Sequence, residues 1–395
     1  MNDKIRLKDA CKILNGFAFK SGKYVDSGIR IIRIANVQKG YVEDERPVFC
    51  PNSEESSIRD YMLEEDDLLL SLTGNVGRVA LLDKRWLPAA LNQRVACLRI
   101  KDDRIIKDYL YFALLSDKFE NDCIESSKGI AQKNMSTEWL KDYEIPLPSG
   151  QKQREIVSSL KQLSMIIKNK TEQIQQLDDL IKARFVEMFG DIDRYISIKD
   201  SGLFIADGNY SSKYPRSSEF TSFGVPFIRA NNIKDNTVVD DDMYFISPEK
   251  HDELKKGHLL HGDILVTTRG NIGQLGIVPQ KHNDSNINAQ IVLLRCRDTK
   301  YLPEYLLFAL QTVDVKKQFI RQQTGTALKQ LPVKHLEKIS FIDAPVELQN
   351  QFANLAIQVD KSKFVLSNKL TMCDFYIRLI HDRVMHGRIN LRMAQ

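Results

Sequence analysis

The sequence predicts a mixed α/β (α+β) protein: two copies of one domain, separated by two long antiparallel coiled-coil helices and related by a pseudo-two-fold axis. Two observations carry this expectation. The chain nearly repeats itself at a spacing of 196 residues, and each copy ends in a long segment with heptad-spaced apolar residues.

The repeat is legible block by block. Ile32-Arg33-Ile34-Ala35-Asn36-Val37 is answered by Ile228-Arg229-Ala230-Asn231-Asn232-Ile233, and Asp67-Leu68-Leu69 by Asp263-Ile264-Leu265. Thr73-Gly74-Asn75-Val76-Gly77 returns as Arg269-Gly270-Asn271-Ile272-Gly273, Asn92 as Asn288, and Gly129 as Gly325. Tyr109 to Leu114 returns as Tyr305 to Leu310, again without drift. Within each copy, β-branched runs (Ile29 to Val37, Val225 to Ile233) come first. A buried-looking strand follows, Leu68 to Leu72 or Ile264 to Thr268, closing on a Gly-Asn-x-Gly turn. A further strand pair ends at Arg99 or Arg295, before a short aromatic helix.

After Pro146 and Pro148, and again after Pro332 and Pro345, the pattern changes. From Gln151 to Phe189 there is neither proline nor glycine; Ile156, Leu163 and Leu177 hold one seam position, and Leu160, Ile167, Ile174, Ile181 and Met188 the other. The second segment keeps the register with Phe352, Val359, Leu366, Cys373 and Ile380, and with Ala356, Leu370, Ile377 and Val384. A period of 3.5 residues held this long predicts a paired coiled coil rather than helices that each cover their own domain. The expected organisation is a first domain at 1–150, a spacer helix at 151–190, a second domain at 191–346 and a second helix at 347–395. Paired in this connectivity, the helices run antiparallel. About thirty-five helical residues would make a spacer of roughly 50 Å.

Composition narrows the class without naming it. Net charge is +5, and residues 1–150 carry 23 basic against 24 acidic groups, so neither half is a basic arm. No apolar run approaches the ~20 residues of a membrane span, and the N-terminus lacks a signal-peptide pattern, so a cytoplasmic protein is expected. Six scattered cysteines include no C-x-x-C pair. His251, His258 and His261 form a loose cluster whose Lys/Gly/Asp setting reads as a solvated turn, and neither metal nor cofactor is expected. Catalytic motifs are equally wanting. Gly16 to Gly22 followed by Lys23 imitates a phosphate loop but has the wrong spacing, and Tyr24 cannot supply the magnesium hydroxyl. No Asn-Pro-Pro-aromatic run offers a pocket for a flipped base.

Several motifs, in order and twice over, carry a family resemblance. They include Gly16-Phe17-Ala18-Phe19-Lys20-Ser21, the Asp67 to Gly77 block, and Ser127-Lys128-Gly129-Ile130-Ala131-Gln132-Lys133-Asn134. Ile145-Pro146-Leu147-Pro148 with Gln153-Arg154 opens the first helix, and Arg184-Phe185-Val186-Glu187-Met188-Phe189-Gly190 closes it. In these the chain resembles, over essentially its whole length, the specificity subunit of type I restriction–modification systems. The second copy departs at Asp207-Gly208-Asn209-Tyr210, at Ile342-Asp343-Ala344-Pro345, and at Leu348-Gln349-Asn350, which lacks the arginine. The resemblance implies a non-catalytic subunit with two target recognition domains reading a two-part DNA site. It also implies two methyltransferase subunits docked on the helical region and motor–nuclease subunits joining for restriction. The competing reading is a duplicated protein-binding adapter on a coiled-coil stalk.

Base edges are read by amides and guanidinium groups, while phosphates take Lys, Arg, Ser and Thr. The loops of the first domain offer Arg33, Asn36, Gln38, Lys39, Asn75 and Arg78, then Lys128, Gln132, Lys133 and Asn134. Those of the second offer Arg229, Asn231, Asn232, Lys234, Arg269, Asn271 and Gln274, then Thr324, Thr326, Lys329 and Gln330. Gly74, Gly77, Gly270 and Gly273 read as turn-formers. Val157, Phe185, Phe189, Phe375 and Tyr376 fall partly off the seam, so a docking surface for partner subunits is expected there.

Overall fold

In a computed structural model of the chain, residues 3–127, 134–210, 212–326 and 328–388 are described. They fall into two compact units, Met1–Thr171 with Ser367–Gln395, and Glu172–Leu366. Two 40-residue helices, Gly150–Phe189 and Val346–Met385, each contribute one part to either unit.

In the first unit, Cys11–Asn15, Val95–Ile100, Leu68–Ser71 and Val79–Leu81 form an antiparallel sheet in that order. Every residue of Leu68–Ser71 is buried, which is why it reads as a continuous apolar run rather than an alternation. Leu68, Leu70, Ala96 and Leu98 face one core, shared with Tyr109, Leu110 and Phe119 of the short helices. Leu69, Ala80, Val95 and Cys97 face a second core with Ile32, Val37 and Leu91. A smaller sheet places Ile29–Ile32 antiparallel to Phe49–Cys50 and parallel to Ala89–Leu91.

The second unit repeats this topology and register. Leu68 lies opposite Leu98 and Leu81; Ile264 lies opposite Leu294 and Ile277. Ile31 pairs with Ala90 as Phe227 pairs with Asn286. The second sheet is extended at its edge by Asn236–Val238 and Ile233–Lys234.

Two polar devices recur in both copies. Asp67, 4% exposed, takes Arg99 through two bonds of 2.8 Å, and Arg99 reaches the Met62 carbonyl at 2.9 Å. Asp263, 1% exposed, takes Arg295 at 2.8 and 2.7 Å, and Arg295 reaches the His258 carbonyl at 2.9 Å. Fully buried Gln153 accepts from the Ile106 amide and donates to the Arg104 and Pro148 carbonyls. Gln349 accepts from Leu302 and donates to Ala344 in the same way. The glutamine of the Gln153-Arg154 pair is therefore the structural member, and the arginine missing from the second copy leaves the joint intact. Gly208 likewise does the work of Gly16: a Cβ at either would stand 2.2 Å from the backbone of Asn288 or Asn92.

Along the long helices the sheltered positions follow the heptad. Leu163, Ile167, Lys170, Ile174 and Leu177 are half-buried, as are Lys363, Leu366, Leu370, Cys373 and Ile377. At their ends the helices join the domain cores: Ile156, Leu160, Ile380 and Val384 in the first unit, and Ile181, Phe185, Phe352 and Val359 in the second. Among the described residues no helix is long and apolar enough to cross a membrane.

Candidate nucleic-acid interface

The Gly-Asn-x-Gly turns stand directly after the central strands. Gly74 and Gly77 have φ of 68° and 85°, and Gly270 and Gly273 have 71° and 84°, a left-handed backbone that glycine adopts freely. The Ser71 hydroxyl sits beneath the first turn, donating to the Asn75 carbonyl and accepting from the Arg78 amide. Thr267 repeats this with the Asn271 carbonyl and the Gln274 amide. The Asn75 and Asn271 side chains are thereby held in solvent. Turned so that its oxygen faces Arg78, the Asn75 amide accepts at 3.1 and 3.3 Å. Arg78 also donates to Gln38, tying the turn to the loop that follows Ile29–Ile32.

A distant loop lies against each turn. Thr73 bridges Asn134 in the first domain; in the second, Gln330 bridges both Arg269 and Thr324. Arg269, exposed, holds its guanidinium carbon 5.4 Å from the Tyr210 ring centroid. Thr326, Leu328 and Lys329 project from the same loop, Leu328 being 88% exposed. Each domain thus gathers one polar ridge from segments some sixty residues apart in sequence. Lys128, Gln132 and Lys133 lie outside the described residues.

Several expected readers are engaged elsewhere. Asn36 and Asn232 are buried turn-holders and not base readers, which corrects the sequence expectation. Their side-chain oxygens accept from the Arg33 and Arg229 amides, and their amide nitrogens donate to Glu43 and Asp241 carbonyls. Arg33 donates to the Arg46 carbonyl, and Arg229 pairs with Asp242 while lying 3.4 Å over the Tyr244 ring. Lys39 contacts Asp117 and Glu120 at 2.8 and 2.7 Å; against partial burial, these carboxylates hold its ammonium above the usual range. Lys234 pairs with Asp241 and Gln274 donates to the Ile233 carbonyl, whereas Asn231 remains exposed beside Asp242.

The docking expectation needs a larger correction. Phe185 and Phe189 are 4% and 0% exposed, packed on Tyr305 and Phe352 in the second core, and Val157 is buried in the first. The heptad leaves them off the seam because the domain itself covers that face. Phe375, 62% exposed, and Tyr376 do lie in solvent.

Sequence reasoning missed the Tyr210 partner of Arg269, whose signal was an aromatic residue at the one place where the second copy departs from the Gly-Phe turn. It also read His251 as solvated, although it is 6% exposed. Burial pushes the thiols of Cys11 and Cys296 up to about 12, so these two are packing residues.

Known proteins bear on this geometry. The profile of the Type I restriction modification DNA specificity domain matches residues 2–178 and again 204–371. The type I restriction enzyme EcoBI specificity subunit of Escherichia coli is 24% identical over 388 residues, covering 90% of this chain and 78% of that protein. The MjaVIII specificity subunit of Methanocaldococcus jannaschii is 26% identical over 178 residues, 44% of this chain and 42% of that protein. Among solved structures, a type I restriction-modification S subunit from M. genitalium shares the fold with a TM-score of 0.57 at 14% identity, over 97% of this chain and 96% of the other. A structure described under complex assembly and conformational transition of the type I R-M system shares it at 0.56 and 15%, over 97% of both chains.

Proposed function

The chain belongs to the type I restriction modification DNA specificity family, and on that premise we propose that each of its duplicated domains reads one half of a two-part DNA site. The observation that carries this reading is one framework bearing two different ridges. The Asp67–Arg99 and Asp263–Arg295 pairs and the buried glutamines are kept, while Thr73 and Asn134 of the first ridge give way to Arg269 and Gln330 of the second. Unlike ridges on like scaffolds serve unlike half-sites, with phosphates fixing register and the ridge amides and guanidinium groups meeting base edges. Asn75, Arg78 and Asn134 are assigned to the first half-site. Arg269, Asn271, Thr326, Lys329 and Gln330 are assigned to the second.

Chemistry belongs to partner subunits: methyltransferases docked on the helical region, and motor–nuclease subunits that add restriction, all acting on cytoplasmic DNA. The exposed Met372, Phe375 and Tyr376 of the second helix supply apolar area for a methyltransferase. Long-read methylation mapping of a host carrying this gene tests the whole reading. The expected product is a motif with two dissimilar halves and an unread gap; a continuous motif would overturn it. The purified chain, given a methyl donor or magnesium alone, is expected neither to methylate nor to cut.

A further inference from the structure

We propose that the second domain binds one divalent transition-metal ion, zinc foremost, through His251, His258 and Asp284. The three side chains each offer a ligand atom, all within 4.8 Å of one another. His251 belongs to the short helix Pro248–Glu253, which Ser247 caps; its Nε2 lies 3.4 Å from Asp284 Oδ1, and its ring centroid 4.2 Å from that of His258. Asp284 occupies a left-handed turn at φ 63°, its side chain 75% exposed, so water has room to complete the coordination. His258 Nε2 sits 2.5 Å from the Leu254 carbonyl. Donating there fixes the tautomer, leaves the Nδ1 lone pair for an ion, and is how metal-binding histidines are ordinarily oriented. Two imidazoles and a carboxylate form a donor set that suits zinc.

The duplication makes the cluster conspicuous. The equivalent positions in the first domain are Glu55, Met62 and Pro88. Met62 bridges Ala90 there, within an apolar lobe of Ile29, Ile31 and Ile58. The same bridge in the second domain joins His258 to Asn286, and among the described residues the lobe's buried apolar core is reduced to Phe227, Ile246 and Leu254. Asn286 is fully buried with neither amide atom partnered, and Nδ1 of His251 is likewise unpartnered. A domain that exchanges apolar contacts for buried polar groups needs another source of cohesion, and an ion tying the helix to the Asp284 turn supplies one. His261 takes no part; its Nδ1 meets the Val278 carbonyl at 3.0 Å.

The test uses the full chain without a histidine tag, stripped by chelator and titrated with Zn²⁺ against a chromophoric competitor. One equivalent should bind, and zinc should raise Tm. H258M, which installs the first domain's residue, and D284N, at an exposed position, should each weaken binding on the order of 100-fold and abolish the Tm shift. Equal zinc affinity in wild type and D284N, or a wild-type chain that binds no equivalent, overturns the proposal. Neither result bears on DNA reading, which methylation mapping tests separately.

Discussion

Replacing Gln153 by leucine keeps the side chain's approximate volume and removes its polar end. Gln153 is fully buried at the start of the first long helix, where it makes bonds of 2.8 Å with the Ile106 amide, 2.8 Å with the Arg104 carbonyl and 2.9 Å with the Pro148 carbonyl. The substitution strands one N–H and two C=O groups. An unsatisfied buried group costs about 1–3 kcal/mol, and carbonyls near the surface recover part of this from water. Counting the amide in full and the carbonyls at a fraction gives a loss of about 2–4 kcal/mol for the first unit. Gln349→Leu in the second unit breaks two bonds, at 3.1 and 2.9 Å, and should cost somewhat less. Urea titration of the full chain measures both, with each variant destabilising the unit that holds its glutamine. A loss below about 0.5 kcal/mol in both would refute the claim that these clamps mount the domains on their helices.

Phe185→Ser should destabilise the second unit by about 3–5 kcal/mol, as large-to-small core changes do, whereas Phe375→Ser should stay within about 0.5 kcal/mol and instead reduce co-purification with the methyltransferase. Lys329→Ala should weaken binding to all DNA sequences alike and lower the slope of log K against log salt by about 1; an unchanged slope would remove Lys329 from the phosphate contacts. Burial pushes His381 down from 6.5 to about 4, with Asp117 opposing and Lys39 assisting. A histidine held neutral in the fold contributes stability that is complete above pH 6.5 and is lost as pH falls towards 4. His381→Phe, the residue at the equivalent position of the first helix, should flatten stability across that window; denaturation midpoints at several pH values check this.

The periodic features were fully legible in the sequence. Duplication at 196 residues and the heptads through Leu163 to Leu177 each depend on residues whose structural meaning follows from local spacing. A strand buried on both faces must be apolar throughout, and a helical seam must recur every 3.5 residues, whatever else the chain does. What neighbours an off-seam or loop residue is not written in its period. Phe185 and Phe375 both fall off the seam, yet one enters a domain core and the other meets solvent. Asn36 and Asn75 both look like readers, but only the fold turns Asn36 inward onto the Arg33 and Glu43 backbone. Lys39 finds its carboxylates roughly eighty residues away at Asp117 and Glu120, and Arg269 meets Gln330 across some sixty. His251 and His258 acquire Asp284 only when the chain closes its smaller sheet. Local spacing determines which face a side chain occupies; the free energy of packing distant segments determines what that face touches, and therefore which polar groups are left to meet DNA or an ion.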